Sequence, residues 1–177
     1  MKRKTYETDI SITRSNEQIT IDTKDVVLDH MLNSLFFYMG LPVSIEAESD
    51  LPHHLWEDCG IAVGEFLAKE FDRGAIARFG YVIMPMDEAL VLVSLDVSRS
   101  YASVELDIKE SERGFEQGLF REFVNGLSRA FDTCIHIRQL AGLNAHHIIE
   151  AAFKGLGKSF QQALKPTEGV QSTKGSL

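Results

Sequence analysis

Two short segments of the chain hold the side chains with the clearest chemical meaning. Both have the pattern His-His-x-x-Glu, the first from His53 to Glu57 and the second from His146 to Glu150. On a helix the first His and the Glu share one face, whereas the second His points about 100° away. Imidazole and carboxylate donors suit zinc, manganese, iron or nickel. The pattern therefore predicts metal binding, and each segment could serve two different ions.

A bland interpretation competes with this one. A single His-His-x-x-Glu can arise by chance in a chain of 177 residues, and paired histidines are commonly surface or core residues. The chain has only six histidines, however, and four of them fall in the two pairs. This concentration favours the metal-binding interpretation.

Further ligand candidates lie upstream of each pair. His30 precedes His53 by 23 residues and Glu122 precedes His146 by 24, each in the preceding predicted helix. We therefore predict that Glu122 occupies the ligand position that His30 holds in the first half. The alternative for Glu122 is a solvated position on the helix surface. His136, in a predicted strand, is expected to be structural or to orient a ligand.

The elements that must position these residues occur twice in the same order: strands, a helix, a strand, then the His-His-x-x-Glu helix. The first half is predicted to contain a hairpin of strands 6–13 and 18–22, a helix from Asp25 to Gly40, a strand at 43–48 and a helix to about residue 71. The second half is predicted to contain strands at 77–84, 89–96 and 101–108, a helix at 114–131, a strand at 134–140 and a helix at 144–164. We expect one domain, 1–177, built from two repeats, about 1–73 and 74–177.

Composition narrows the functional classes. The net charge of −8 argues against a nucleic-acid surface, which requires a basic patch. Apolar runs fall short of the roughly 20 residues that span a bilayer, and the basic start is not followed by a signal-peptide core. Cys59 and Cys134 form no disulfide pattern. A cytosolic protein that binds neither nucleic acid nor membrane is the expectation.

Taken together, the motifs resemble those of the imidazoleglycerol-phosphate dehydratase family of histidine biosynthesis over essentially the whole chain. The matching motifs, in order, are Arg3-x-Thr5-x-Glu7-Thr8, Leu28-Asp29-His30-Met31-Leu32, His53-His54-x-x-Glu57-Asp58, Arg78-Phe79-Gly80, Pro85-Met86-Asp87-Glu88-Ala89, Ile135-His136-Ile137, Gly142-x-Asn144-x-His146-His147-Ile148-Ile149-Glu150-Ala151-x-Phe153-Lys154 and Ser172-Thr173-Lys174-Gly175. The resemblance implies an α+β fold with internal duplication and helices packed between two small β-sheets. It also implies two Mn²⁺ ions per active site, shared between subunits of a homo-oligomer of 24 chains built from trimers.

The implied reaction dehydrates imidazole glycerol phosphate, a small-molecule imidazole phosphate, to imidazole acetol phosphate. The resemblance assigns metal binding to eight residues: His30, His53, His54, Glu57, Glu122, His146, His147 and Glu150. Proton transfer falls to Glu7, Asp87 and Glu150, with Lys154 orienting a carboxylate or substrate oxygen. The resemblance assigns phosphate binding to Arg78, Ser172 and Lys174. It also assigns it to Arg99 if the shortened turn allows that side chain to reach the phosphate. Each of these residues also has a purely structural alternative: Arg78 could pair with an acid, Asp87 could cap a turn, and Lys154 could be solvated.

The sequence departs from the family pattern where substrate contacts are expected. Where the family usually has Thr-Gly-x-Gly-Phe, this chain has Thr23-Lys24-Asp25-Val26-Val27. Ser34 replaces a Gln that is common in the family, and Tyr38 replaces a His. The loop at 48–52 is shorter than in the family, and the Ser-Gly-Arg-Pro turn is reduced to Ser98-Arg99-Ser100. A metal-bridged assembly with altered substrate or little catalysis is therefore the alternative function. A dinuclear hydrolase is a third option, which the motif order disfavours. A purely structural metal site would not need Glu7, Asp87 and Lys154, so the enzyme is preferred.

Overall fold

The computed structural model describes residues 1–175 of the chain. These residues contain four α-helices: α1 (Val26–Met39), α2 (Pro52–Glu70), α3 (Gln117–Ala130) and α4 (Ala145–Ala163). The same part of the chain contains eight strands: β1 (Lys2–Lys4), β2 (Thr8–Arg14), β3 (Thr20–Asp22), β4 (Val43–Ser49), β5 (Phe79–Met86), β6 (Ala89–Val97), β7 (Tyr101–Glu105) and β8 (Thr133–Ala141). A short 3-10 helix, Arg73–Ala75, lies near the predicted linker. Within these described residues, no helix has the length and apolar character needed to cross a membrane.

The strands form two four-stranded sheets of identical connectivity. Their orders are β1-β2-β4-β3 and β5-β6-β8-β7. The last pair of each sheet is parallel and the other pairs are antiparallel. A parallel pair needs a crossover, and α1 and α3 supply it in the two sheets.

The predicted hairpin between residues 6–13 and 18–22 is wrong. β3 lies parallel to β4, with Thr20 opposite Ser44, whereas β2 pairs with β4 and with β1. β1 was missed because its three residues, Lys2–Lys4, are all charged and show no apolar alternation. It is held by backbone pairing to β2, with Arg3 opposite Ile10, and tertiary pairing of this kind overrides strand propensity.

Each sheet buries one face against helices, and this confirms the predicted α+β class with helices between two sheets. Alternate residues of β2 and β6 point into the core, as Ile10, Ile12, Val91 and Val93 do. α2 packs on β2 and β4 while α4 packs on β5 and β6. Between these layers α2 contacts α3 and α1 contacts α4. The His-His-x-x-Glu helices thus lie in the interior layers of the molecule.

The helix contacts join the two halves in the same way twice. A Cβ added to Gly64 of α2 would lie 2.9 Å from the carbonyl oxygen of Leu127 in α3. One added to Gly157 of α4 would lie 2.3 Å from the carbonyl oxygen of Leu35 in α1. Each glycine is 11 residues after the first His of its segment. The equal sheet orders and equal crossings support our proposal that the chain is one domain of two repeats, about 1–73 and 74–177.

Candidate metal centre

The first candidate centre, cluster one, consists of His30, His146 and Glu150. One ligand atom from each lies within 4.8 Å of the others. His30 comes from α1 and the other two come from α4, where they are four residues apart. The Oε2 atom of Glu150 lies 3.0 Å from Nε2 of His30 and 2.9 Å from Nε2 of His146. Two imidazoles and a nearly buried carboxylate therefore converge on one point.

The second centre, cluster two, consists of His53, Glu57 and Glu122. Their ligand atoms also lie within 4.8 Å of one another. His53 and Glu57 share a face of α2, with Nε2 and Oε2 4.0 Å apart. Glu122 reaches them from α3. The structure thus brings Glu122 to the place that corresponds to His30, and its role as a ligand stays a prediction.

The two clusters combine the halves crosswise. Cluster one joins His30 of the first half to the His-His-x-x-Glu helix of the second half. Cluster two joins Glu122 of the second half to the His-His-x-x-Glu helix of the first. The crosswise arrangement follows from the helix packing, since α1 lies on α4 and α3 lies on α2.

Glu150 of cluster one and Glu57 of cluster two each divide their two oxygens between a histidine and a cation. Oε1 of Glu150 lies 2.9 Å from Nζ of Lys154, and Oε1 of Glu57 lies 2.7 Å from Nη2 of Arg129. Burial alone would raise the pKa of Glu150, but the hydrogen bonds from Lys154 and His30, together with their charges, lower it. Glu150 is therefore an ionised carboxylate at neutral pH, which is the form that binds metal. The sequence did not predict the contact between Arg129 and Glu57, because Arg129 lies in α3 and Glu57 lies in α2.

The ring of His146 is oriented from both sides by residues that the sequence analysis missed. Its Nδ1 lies 3.3 Å from Oε1 of Glu112, and the ring of Phe115 stacks on it at 4.2 Å between centroids. A carboxylate on the second ring nitrogen is the usual support for a metal-binding histidine. The backbone N–H of His146 donates to the side chain of Asn144, which caps α4. Glu112 precedes the predicted helix at 114–131, and Phe115 lies at its predicted start, before the first residue of α3, Gln117. Neither residue belongs to a motif, so no sequence signal marked them as partners of His146.

His54 and His147, the second histidines of the pairs, lie outside both clusters. Nδ1 of His54 is 2.7 Å from Oδ1 of Asp50, and Nδ1 of His147 is 2.6 Å from Oε2 of Glu88. These hydrogen bonds raise the pKa of both histidines. In the neutral ring each bond places the proton on Nδ1, so the lone pair is on Nε2. The two predicted ligands are thus oriented as ligands, but this chain does not bring them to a cluster.

The four predicted catalytic residues, namely the three candidates for proton transfer and Lys154, lie in three places. Glu150 belongs to cluster one and Lys154 contacts it. Nζ of Lys154 also lies 3.7 Å from Sδ of Met86 and 5.9 Å from the ring centre of Tyr38. Oε2 of Glu7 lies 3.8 Å from Nδ1 of His54. Oδ2 of Asp87 lies 3.6 Å from Nε2 of His147. Glu7 and Asp87 therefore accompany the outlying histidines.

The turn that holds Glu7 explains the first motif of the chain. Oγ1 of Thr5 accepts hydrogen bonds from the backbone N–H groups of Glu7 and Thr8. The hydroxyl of Thr8 donates to the buried carboxylate of Asp58, which also pairs with Arg3 at 2.9 Å. Asp58 follows Glu57 directly, so one turn of α2 presents a cluster residue and anchors the Glu7 turn.

All four predicted phosphate-binding residues line one groove. Arg78, Arg99, Ser172 and Lys174 surround a volume of about 820 Å³ beside the C-terminal segment. Arg78 also pairs with an acid, Asp96, as the structural alternative required. His136 is exposed on β8, packs against the ring of Tyr101 at 5.4 Å between centroids, and is not among the residues that line the groove.

Comparisons with known proteins show which family the sequence resembles. The sequence model of the imidazoleglycerol-phosphate dehydratase family matches residues 23–160. The imidazoleglycerol-phosphate dehydratase of Pyrococcus furiosus is 53% identical over 178 residues, which cover 100% of both chains. The corresponding protein of Metallosphaera sedula is 40% identical, with 99% of this chain and 96% of the relative covered.

Solved structures give the same result. A crystal structure of the Pyrococcus furiosus protein superposes with a TM-score of 0.97 at 52% identity, covering 100% of both chains. The imidazoleglycerol-phosphate dehydratase of Staphylococcus aureus superposes with a TM-score of 0.81 at 32% identity, covering 94% of this chain and 98% of the other.

Proposed function

The chain belongs to the imidazoleglycerol-phosphate dehydratase family, and from that premise we propose that it converts imidazole glycerol phosphate to imidazole acetol phosphate with the help of divalent metal ions. As a member of this family it is a hydro-lyase of histidine biosynthesis. The proposal is supported best by one observation: the same chain carries two His/Glu clusters and a groove lined by cationic side chains.

The donor chemistry of both clusters fits a transition metal. Each cluster offers three nitrogen or oxygen donors within 4.8 Å, which is a set that suits manganese, zinc or iron. We propose one Mn²⁺ per cluster, hence two per chain, and we propose two per active site. When bound, such ions act as Lewis acids toward the substrate. Three donors per cluster also leave coordination positions open for substrate or for a further protein ligand.

Proton transfer is proposed for Glu150, supported by Lys154. Oε2 of Glu150 faces the histidines, whereas Oε1 faces Lys154 and can take up or return a proton. The ammonium of Lys154 keeps that oxygen ionised and oriented. Glu7 and Asp87 are exposed on turns beside His54 and His147, and we propose that they act as further proton carriers.

Phosphate binding is proposed for the groove. Arg78, Arg99 and Lys174 provide three cations, and Ser172 provides a hydroxyl. Hydrogen bonds between cations and phosphate oxygens are stronger than neutral ones. These residues would hold the phosphate end of the substrate in both the ground and the transition state.

Assembly is proposed because the clusters and the outlying histidines complement one another. His54 and His147 of a second copy could complete clusters that have three donors here. The outer side of the second sheet supports association, since Phe79, Tyr81 and Ile83 are each more than half exposed, and apolar patches mark contact sites. We propose a homo-oligomer of 24 chains built from trimers. The cytosolic location stays a prediction.

The deciding experiment measures imidazole acetol phosphate with the metal-free protein, with added Mn²⁺, and after chelation. We expect product only when metal is bound, with roughly two ions per chain by elemental analysis. Light scattering should report a large particle with metal and a smaller one without it. A large metal-bound particle that forms no product would instead support the metal-bridged assembly with little catalysis.

A further inference from the structure

The backbone of Arg78 adopts a conformation that non-glycine residues rarely use. Its φ is +72°, in the left-handed region. Two hydrogen bonds hold it there: the N–H of Arg78 donates to Ala163 O at 2.9 Å, and Arg78 O accepts from the N–H of Val97 at 3.0 Å. Backbone strain of this kind persists where the surroundings enforce it, and it is concentrated at functional sites. The direction of the Arg78 side chain is therefore fixed by the fold.

The guanidinium of Arg78 is bound on two sides. Nε donates to Oδ1 of Asp96 at 2.6 Å and Nη2 donates to Oδ2 at 2.9 Å, which is a bidentate pair. Nη1 donates to the backbone carbonyl of Gln171 at 2.8 Å. A guanidinium has five N–H groups, so these three bonds leave one N–H on Nη1 and one on Nη2. Those two remain for an anion in the groove.

The pair is well shielded and ionised. The side chains of Arg78 and Asp96 are 17% and 29% exposed. Burial would raise the pKa of Asp96, but hydrogen bonds from Arg78 and Ser98, and the charges of Arg78 and Arg99, lower it below its usual value. The carboxylate therefore holds the guanidinium throughout the neutral pH range.

The carbonyl that Arg78 binds immediately precedes the proposed phosphate residues. Ser172 follows Gln171, and the turn to Lys174 is closed by hydrogen bonds from Lys174 N to Ser172 Oγ and from Gly175 N to Ser172 O. Upstream, the segment is attached to the body by the bond from Thr167 N to Ala75 O. The Arg78 bond to Gln171 is thus the attachment next to the turn that lines the groove.

We propose that Asp96 is a positioning residue of the anion groove: by clamping Arg78 it both ties down the C-terminal turn of residues 171–175 and aims two N–H groups at the phosphate. This inference rests on the proposed function for its ligand. The clamp itself concerns only residues of this chain, so it can be tested without turnover.

The test compares Asp96→Asn with the parent and with Glu70→Gln. The control removes a carboxylate from another arginine, Arg14, at 3.1 Å. We expect amide hydrogen exchange of residues 170–174 to accelerate roughly 3- to 30-fold in Asp96→Asn, as for loss of a partly exposed charge-assisted hydrogen bond. The affinity for inorganic phosphate should fall by a similar factor, and KM should rise about tenfold while kcat changes less than about twofold. The Glu70→Gln control should behave like the parent in all these measurements.

Further variants keep the inference open to refutation. Arg78→Lys retains the charge but cannot make the bidentate contact, so it should reproduce the faster exchange and weaker phosphate binding even if Asp96→Asn does not fold. Asp96→Glu, which restores the carboxylate, should recover part of both properties. Unchanged exchange or unchanged phosphate affinity in Asp96→Asn or Arg78→Lys overturns the inference. A parent protein that forms no product would contradict the proposed function alone, because exchange and phosphate binding still decide the role of Asp96.

Discussion

Replacing Lys154 by Ala should separate catalysis from metal binding. Nζ of Lys154 contacts Oε1 of Glu150 at 2.9 Å, whereas the imidazoles of cluster one contact Oε2. The variant should therefore retain the metal content and the particle size of the parent. Turnover should fall by roughly 10²- to 10⁴-fold, the usual effect of losing a positioned acid–base group. At about 1.36 kcal/mol per tenfold, this is about 3–5 kcal/mol of activation free energy.

The structure also predicts how the variant changes stability and pH dependence. Removing one partner of a fully buried ion pair costs about 3–5 kcal/mol. Lys154 is 19% exposed and Glu150 keeps two histidine contacts, so about 1–2 kcal/mol is expected, or a melting temperature lower by about 2–8 °C in the metal-free protein. A bound ion would compensate the Glu150 charge and reduce that difference. Because Lys154 lowers the pKa of Glu150, its loss should move the acidic limb of the rate profile to higher pH.

Lys158→Ala is the matched control, since Lys158 lies one turn further along α4 and contacts Gln161. It should leave turnover, metal content and the pH profile unchanged. Turnover of Lys154→Ala at the parental rate would refute the assignment. A loss of metal in the same variant would show instead that Lys154 acts by holding cluster one together.

Two further substitutions test the scaffold of the site. Gly157→Ala would place a Cβ 2.3 Å from the carbonyl oxygen of Leu35. We expect it to lower the free energy of unfolding, measured by urea titration, by about 1–3 kcal/mol. The control Gly118→Ala adds a Cβ where there is open space, so it should leave stability unchanged or raise it. Hydrogen bonds, chiefly from the N–H of Asn144, lower the pKa of Glu88 from 4.5 to about 2. This group therefore stabilises the fold above pH 4.5, and the contribution is lost as the pH falls toward about 2; the stability difference between the metal-free parent and Glu88→Gln should shrink over that range.

The helices could be predicted well because their signals are local. Asp25 caps α1 and Gly40 ends it, as the sequence indicated. α4 begins directly after Asn144, at the predicted start of that helix, and the structure adds that the Asn144 side chain caps it. Strand pairing could not be predicted in the same way. β3 finds its partner in β4, on the far side of α1, and β1 has no apolar residue to mark it. The pairing of β3 with β4 depends on how α1 packs between them in the chain, which no short window of sequence contains.

The same distinction explains what could be predicted of the site. The spacing of His146 and Glu150 is set within one helix, so their convergence follows from the sequence. The third residue of each cluster is decided by which helices pack together in the fold. His30 and Glu122 precede the next His pair along the chain by nearly equal distances, but each lies in a cluster with the first His of the other pair, and the spacing does not reveal this. The structure also shows that the two clusters differ, since one has a histidine where the other has a glutamate. With neutral imidazoles, cluster two has one more negative charge than cluster one.

The crosswise clusters link metal binding to the packing of the two halves. Because α1 lies on α4 and α3 lies on α2, neither half contains a complete cluster by itself. An ion bound in cluster one contacts both halves only when α1 and α4 pack closely at Leu35 and Gly157. An ion bound in cluster two likewise requires α3 and α2 to pack closely at Leu127 and Gly64. A ligand that binds only the native packing stabilises that packing. Each metal ion should therefore hold the interface between the halves together, and its removal should loosen that interface before it unwinds either His-His-x-x-Glu helix.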